Sequence, residues 1–234
     1  MNNLPPILVA SRAPWASSGV GSKPVECDTC LFNPYSYGFV PDFVGSNAKI
    51  AIMFSYPEKD DANEREAMAS DMGKFILRTY VYPAGIKKDE LLITYLLRCV
   101  PKWNSKLKKP NYPTGRTRDN AEVSCRVFDN SHGEEGKLVS GGLRKFNPNI
   151  CFITFNPREV FRVPAYHRQL QVDFKKALEL SKQGMRPLVL CGNEPGELFA
   201  PWIKGKGSAK AWRGHFWEMD YKYGEFRNEG FIPA

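Results

Sequence analysis

Four short, continuously apolar runs punctuate the chain: 48–55 (AKIAIMFS), 91–99 (LLITYLLRC), 150–155 (ICFITF) and 187–193 (PLVLCGN). Each is rich in β-branched and aromatic residues and is bounded by Pro, Gly or Asn, the mark of a buried strand rather than a helix. Between them the period changes. Residues 62–85 put Met68, Met72, Phe75 and Ile76 on one helical face and stop before Pro83. Residues 165–184 predict a second helix, with Pro164 at its opening and Gly184 just past its end. A short helix is expected near Glu194–Phe199. Residues 1–26, rich in Pro, Ser and Gly, predict an irregular segment, and residues 119–145 carry no clear period. Strands that are apolar throughout and alternate with helices predict a mainly parallel sheet of about four strands, covered on both faces. The expected architecture is a three-layer α/β/α sandwich forming a single domain over 1–234.

In open parallel sheets the chemistry gathers where strands end. The segments to inspect are therefore Ser55-Tyr56-Pro57-Glu58, Thr94 to Cys99, Phe155-Asn156-Pro157-Arg158 and Cys191-Gly192-Asn193-Glu194. Asn156-Pro157 alone reads as a turn, since both residues favour turns and Pro cannot continue a central strand.

Composition narrows the class without choosing an activity. The 234 residues are 42% hydrophobic with no low-complexity tract, no stretch as long as a membrane span, and no charged-then-apolar N-terminal signal, so a cytoplasmic protein is expected. The net charge of +8 matters through its clustering. Lys102 to Arg118 holds six basic residues and no acid, including Lys106, Lys108, Lys109 and Arg116, with Trp103 and Tyr112 interleaved. Its Pro, Gly and Asn content predicts a loop, either merely solvated or tracking phosphates while its rings stack on bases.

Six cysteines in a cytosolic chain suggest metal ligands or core residues before disulfides. Cys151 and Cys191 fall inside apolar strands and read as buried thiols. The remaining four, Cys27, Cys30, Cys99 and Cys125, are the candidate ligand set, with two residues between Cys27 and Cys30 so that both sulfurs can face one centre. Four thiolates suit zinc or an iron–sulfur cluster, and spacing alone does not choose between them.

This order of motifs resembles the uracil-DNA glycosylase superfamily, closest to its iron–sulfur type (family 4), over roughly residues 27–215. In that family the first strand ends in Gly-Glu-Ala-Pro-Gly, where this chain has Phe54-Ser55-Tyr56-Pro57-Glu58. The Phe that stacks on the base is matched by Met68, and Ile-Thr-Asn followed by Cys-Arg-Pro is matched by Ile93-Thr94-Tyr95 and Arg98-Cys99-Val100-Pro101. Tyr95 thus stands where an Asn reads the base edge. The closing Thr-Tyr-His-Pro-Ser, Leu-Leu-Arg and Asp-Leu-x-x-Ala are matched by Thr154 to Arg158, Val160-Phe161-Arg162 and Asp173 to Ala177. Asn156 takes the place of the catalytic His. The family's Leu-Gly strand and its Arg-Gly come before the His-Pro motif, whereas Leu188 to Gly192 and Arg213-Gly214 come after Asn156 here. The order is that of a permuted fold, or else Asn156 lies in an insertion and a His-Pro motif belongs beyond Ala234.

The resemblance implies a DNA glycosylase with a 4Fe–4S cluster (zinc being the alternative) on Cys27, Cys30, Cys99 and Cys125. It implies DNA as partner, a monomer, and no membrane. Asn156 would donate to the departing base and Glu58 would serve as the carboxylate that meets the sugar cation or its water. Tyr56, Pro57, Met68, Tyr95, Pro157 and Arg158 would line the pocket. Lys106, Lys108, Lys109, Arg116, Trp212, Arg213 and His215 would contact DNA. Loss of the base-reading Asn argues for a modified or damaged base, such as a hypermodified viral pyrimidine, in place of plain uracil. That suits repair or antiviral defence. The alternatives are an inactive relative that only binds DNA, and a zinc-stapled RNA-binding module.

Overall fold

The computed structural model describes residues 35–106 and 146–193, a few flanking positions (32, 109–110, 143, 195–196), and the backbone of short strands at 216–218, 220–222, 225–227 and 231–232. It is a mixed α/β fold. Four parallel strands form its centre: β3 (Ile50–Phe54), β4 (Leu91–Tyr95), β8 (Ile150–Thr154) and β9 (Pro187–Cys191). Every residue of all four is buried, as the unbroken apolar runs require of strands covered on both faces. Their order across the sheet is β8-β9-β3-β4, so β9 lies between β3 and β8 although it follows both in the chain. Antiparallel strands extend both edges: β2 (Phe43–Val44) beside β4, then β10 (Phe216–Glu218) and β13 (Phe231–Ile232) beyond β8. The expected parallel centre of four strands is there, and among the described residues the antiparallel additions at both edges bring the sheet to seven strands.

One face packs on helix α3 (Tyr166–Lys182), which buries Leu170, Phe174 and Ala177 against Ile50, Ile52, Phe152 and Val189. Burying three such side chains contributes several kcal/mol at the usual area coefficient. The helix ends as its sequence requires, with Gly184 at φ +85, open to an L side chain only at a cost in strain.

Three expectations are corrected. The period over 62–85 is not one helix. Helix α1 (Lys59–Glu64) stops at Arg65, which is left-handed. Helix α2 (Asp71–Ile76) starts afresh at Ser70, whose hydroxyl accepts the Gly73 N–H, and passes through a π-helical turn (Leu77–Val81). The run 91–99 is likewise two elements. β4 ends at Tyr95, Leu96 N–H and Leu97 N–H bond back to Phe54 O and Ser55 O, and β5 (Cys99–Pro101) pairs antiparallel with β1 (Ser36–Phe39). The basic segment also holds a small pairing, β6 (Trp103–Asn104) against β7 (Lys109–Pro110), in place of a plain loop. No helix among the described residues is long and apolar enough to cross a membrane.

Candidate functional site

Because β3, β4, β8 and β9 run parallel, all four exit segments emerge along one edge of the sheet. At that edge Asn156 caps a 3-10 turn, Pro157–Phe161. Its Oδ1 accepts the Arg158 N–H at 3.1 Å, and Pro157 supplies the preset φ of the first turn position. The carbonyl half of the Asn156 amide is thus used by the turn, and the Nδ2 donor half is not.

Arg158 joins two of the segments. Its guanidinium donates to Tyr56 O at 2.8 Å, pairs with Glu58 Oε1 at 2.8 Å, and lies 4.5 Å from the centre of the Tyr56 ring. A planar fork satisfies all three at once in a way a lysine would not. Asn156-Pro157-Arg158 and Tyr56-Pro57-Glu58 therefore form one constellation, two strands apart in the sheet. Glu58 faces Arg158, while Lys59 sits over the Tyr37 ring at 5.0 Å.

The floor beside β3 is held by Asp61. Its buried carboxylate accepts from Glu58 N–H at 2.9 Å and from Ser70 N–H at 2.7 Å, clasping both ends of the 58–70 segment. Within that clasp Met68 is buried at φ +64, a left-handed conformation rare for a non-glycine residue. Gly73 makes this possible, since a Cβ there would lie 2.4 Å from Met68 Cα.

Tyr95, at the exit of β4, is 4% exposed, and its hydroxyl has no hydrogen-bond partner among the described residues. Burial, and next the Asp61 charge, push its ionisation well above the ordinary tyrosine range. The Met68 backbone, near the hydroxyl but outside hydrogen-bond geometry, and Arg158 oppose this. The phenol stays protonated, a donor and an acceptor both unmet. Behind it, Thr94 Oγ1 donates to Asp42 Oδ1 at 2.8 Å and Arg98 lies 3.6 Å from the same oxygen, a buried cluster that fixes the end of β4.

Two further residues support β8. Thr154 Oγ1 donates to the buried Asp173 of α3, whose other oxygen accepts from Gln169 at 2.8 Å. Burial raises the Asp173 carboxyl above its usual value, against the lowering effect of those two bonds. Cys151 and Cys191 are buried as expected, and burial pushes the Cys151 thiol up to about 12.

Of the expected site, Asn156, Pro157, Arg158, Tyr56, Pro57 and Glu58 share one edge, with Met68 and Tyr95 set deeper. Lys106 is exposed with its N–H on Asn104 Oδ1, and Lys109 pairs by its backbone with Asn104. Cys99 is buried against Phe32, two residues beyond Cys30. Cys27, Cys30, Cys125, Lys108, Arg116, Trp212, Arg213 and His215 lie outside the described residues, as do the irregular segment 1–26 and most of the expected helix 194–199. Asp61 and Ser70 were missed as site-builders. The available signal was Ser70 three residues before Gly73 at the start of an apolar run, a helix-start pattern inside an apparent helix. No family model matches the chain, and no curated protein matches it in sequence.

Proposed function

We propose that the chain is a DNA glycosylase that flips out a modified or damaged base and hydrolyses the N-glycosidic bond holding it, releasing the base and leaving an abasic site. The single observation that carries this reading is Arg158 binding the Asn156-Pro157 turn to Tyr56-Pro57-Glu58 at the exits of parallel strands. The Asn156 Nδ2 donor stabilises negative charge growing on the departing base. Glu58, held by Arg158, supplies the negative charge that meets the sugar cation. The buried, unmet Tyr95 hydroxyl offers a donor and an acceptor to a base edge, and an unpaired buried hydroxyl costs roughly 1–3 kcal/mol until something binds it. Met68, in its left-handed turn, takes the face of the base.

The position of β9 supports a permuted uracil-DNA glycosylase-like, three-layer sandwich. The strand resembling the family's Leu-Gly strand lies between β3 and β8 in space although it comes last of the four in the chain. Cys99 shares a buried cluster with Phe32, the second residue after Cys30 in the sequence, and this supports the proposed set Cys27, Cys30, Cys99 and Cys125 around a 4Fe–4S cluster of structural role.

A second reading, an inactive DNA-binding relative, draws on the 2.8 Å ion pair that already engages Glu58. Incubation with DNA containing uracil, methylated, hydroxymethylated or glucosylated bases separates the two. Free base and matching abasic sites are expected from a modified DNA; intact DNA across the panel with binding retained assigns the binding-only reading.

A further inference from the structure

One amine beside the strand-end site has no carboxylate partner. Lys59 is exposed and directly follows Glu58, so the two Cα atoms lie about 3.8 Å apart. Three acids surround it in the sequence, and each is engaged elsewhere. Glu58 pairs with Arg158 at 2.8 Å, Asp61 accepts the Glu58 and Ser70 N–H groups, and Asp60 accepts from Asn63 Nδ2 at 3.4 Å. Lys49, Lys74 and Lys88 each face a carboxylate, whereas Lys59 makes no ion pair among the described residues. Its Nζ rests 5.0 Å from the centre of the Tyr37 ring. An exposed contact of this kind holds weakly, and the amine sits on a flexible stem of four carbons, so it is free to swing toward its neighbour Glu58.

We propose that Lys59 is the nucleophile of a second activity, an abasic-site lyase that cleaves the DNA strand at the sugar left by base release. The proposal rests on the glycosylase reading above and goes one step past it. Glu58 is placed there to meet the sugar cation, whose charge centres on C1′, and C1′ is the atom an amine attacks once the abasic sugar opens to its aldehyde. The attacking form is the unprotonated amine, which a carboxylate partner would suppress, and Lys59 has none among the described residues. Nζ adds to C1′, the aldehyde oxygen leaves as water, and an imine joins protein to DNA. The imine acidifies the C2′–H bond, and the Glu58 carboxylate takes that proton. A C2′–C3′ double bond forms as the C3′–O bond breaks, and the phosphate departs with the electron pair. Water then hydrolyses the conjugated imine and returns the Lys59 amine. One fragment ends in an unsaturated aldehyde and the other in a 5′-phosphate. The water released in forming the imine matches the water consumed in hydrolysing it, and no oxidant or reductant enters.

Duplex DNA carrying one preformed abasic site tests the lyase with no base left to release. The full chain is incubated with it in the presence of sodium borohydride, which reduces the imine to a stable amine. Cross-linked protein is resolved on a denaturing gel and the joined residue is mapped by peptide mass spectrometry. The expected result is a cross-link on Lys59, and strand cleavage at the abasic site when borohydride is omitted. Lys59→Arg keeps the positive charge over the Tyr37 ring, but its guanidinium forms no such imine, so both the cross-link and the cleavage should be lost. The proposal is overturned by a parent chain that gives no cross-link, by a cross-link that maps to another residue, or by Lys59→Arg that cross-links like the parent. Base release from a modified DNA without any cross-link would overturn the lyase and leave the glycosylase. A Lys59 cross-link on abasic DNA, without base release from any DNA of the panel, would do the reverse.

Discussion

At the residue scale, polar side chains hold the strand exits in place, and the contacts that join separate strands have partners far apart in sequence. Arg158 and Tyr56 are 102 positions apart, so no local pattern announces their contact. The exit motifs themselves were legible, since Pro57 and Pro157 each stop an apolar run. Asp173 gives a sharper test. Its carboxyl is raised above the ordinary value by burial, so the folded state holds a proton more tightly than the unfolded chain. The sign follows: its contribution is fully present below the unfolded carboxyl value and is lost as pH rises through the folded one. Asp173→Asn keeps an acceptor for Gln169 and a donor for the Thr154 hydroxyl while removing the charge. Denaturant melts from about pH 4 to pH 8 should therefore show a shallower loss of stability in the variant than in the parent. Asp173→Ala, which leaves buried partners unmet, should cost about 1–3 kcal/mol at low pH and less as pH rises and the parent loses the Asp173 contribution.

At the element scale, the four parallel strands were legible because burial on both faces demands continuous apolar runs. The break in 62–85 was not. The spacing of Met68, Met72, Phe75 and Ile76 keeps a helical period, but two caps, Arg65 ending α1 and Ser70 starting α2, override it, and Asp61 ties the intervening turn shut. This turn depends on Gly73. Gly73→Ala would drive a methyl into the Met68 backbone, a clash no side-chain rotation relieves. Thermal unfolding should show a loss of about 1–3 kcal/mol, the usual cost of overpacking. At temperatures where the variant is still folded, base release should fall as well, since Met68 moves. A variant as stable as the parent would mean the turn adapts freely.

At the scale of the whole molecule, the order β8-β9-β3-β4 was not legible, because four equally apolar strands carry no mark of which neighbour each takes. That order is what brings Asn156 within two strands of Glu58 and sets Tyr95 one strand further. The cluster belongs to this scale too, since its proposed ligands are spread from Cys27 to Cys125. Anaerobically purified protein should be brown and contain iron and sulfide; colourless protein with stoichiometric zinc would contradict the cluster. The central claim is that the Asn156 turn, pinned by Arg158 against Tyr56 and Glu58, releases a base. Its most direct test is the single-turnover rate of base release from the DNA that the parent chain attacks, measured for parent and Asn156→Ala at saturating protein. Loss of one donor to the leaving base predicts a rate lower by roughly 10²–10³ with the fold intact, the lost turn cap itself costing only about 1 kcal/mol. A variant that releases base at the parent rate would contradict the account.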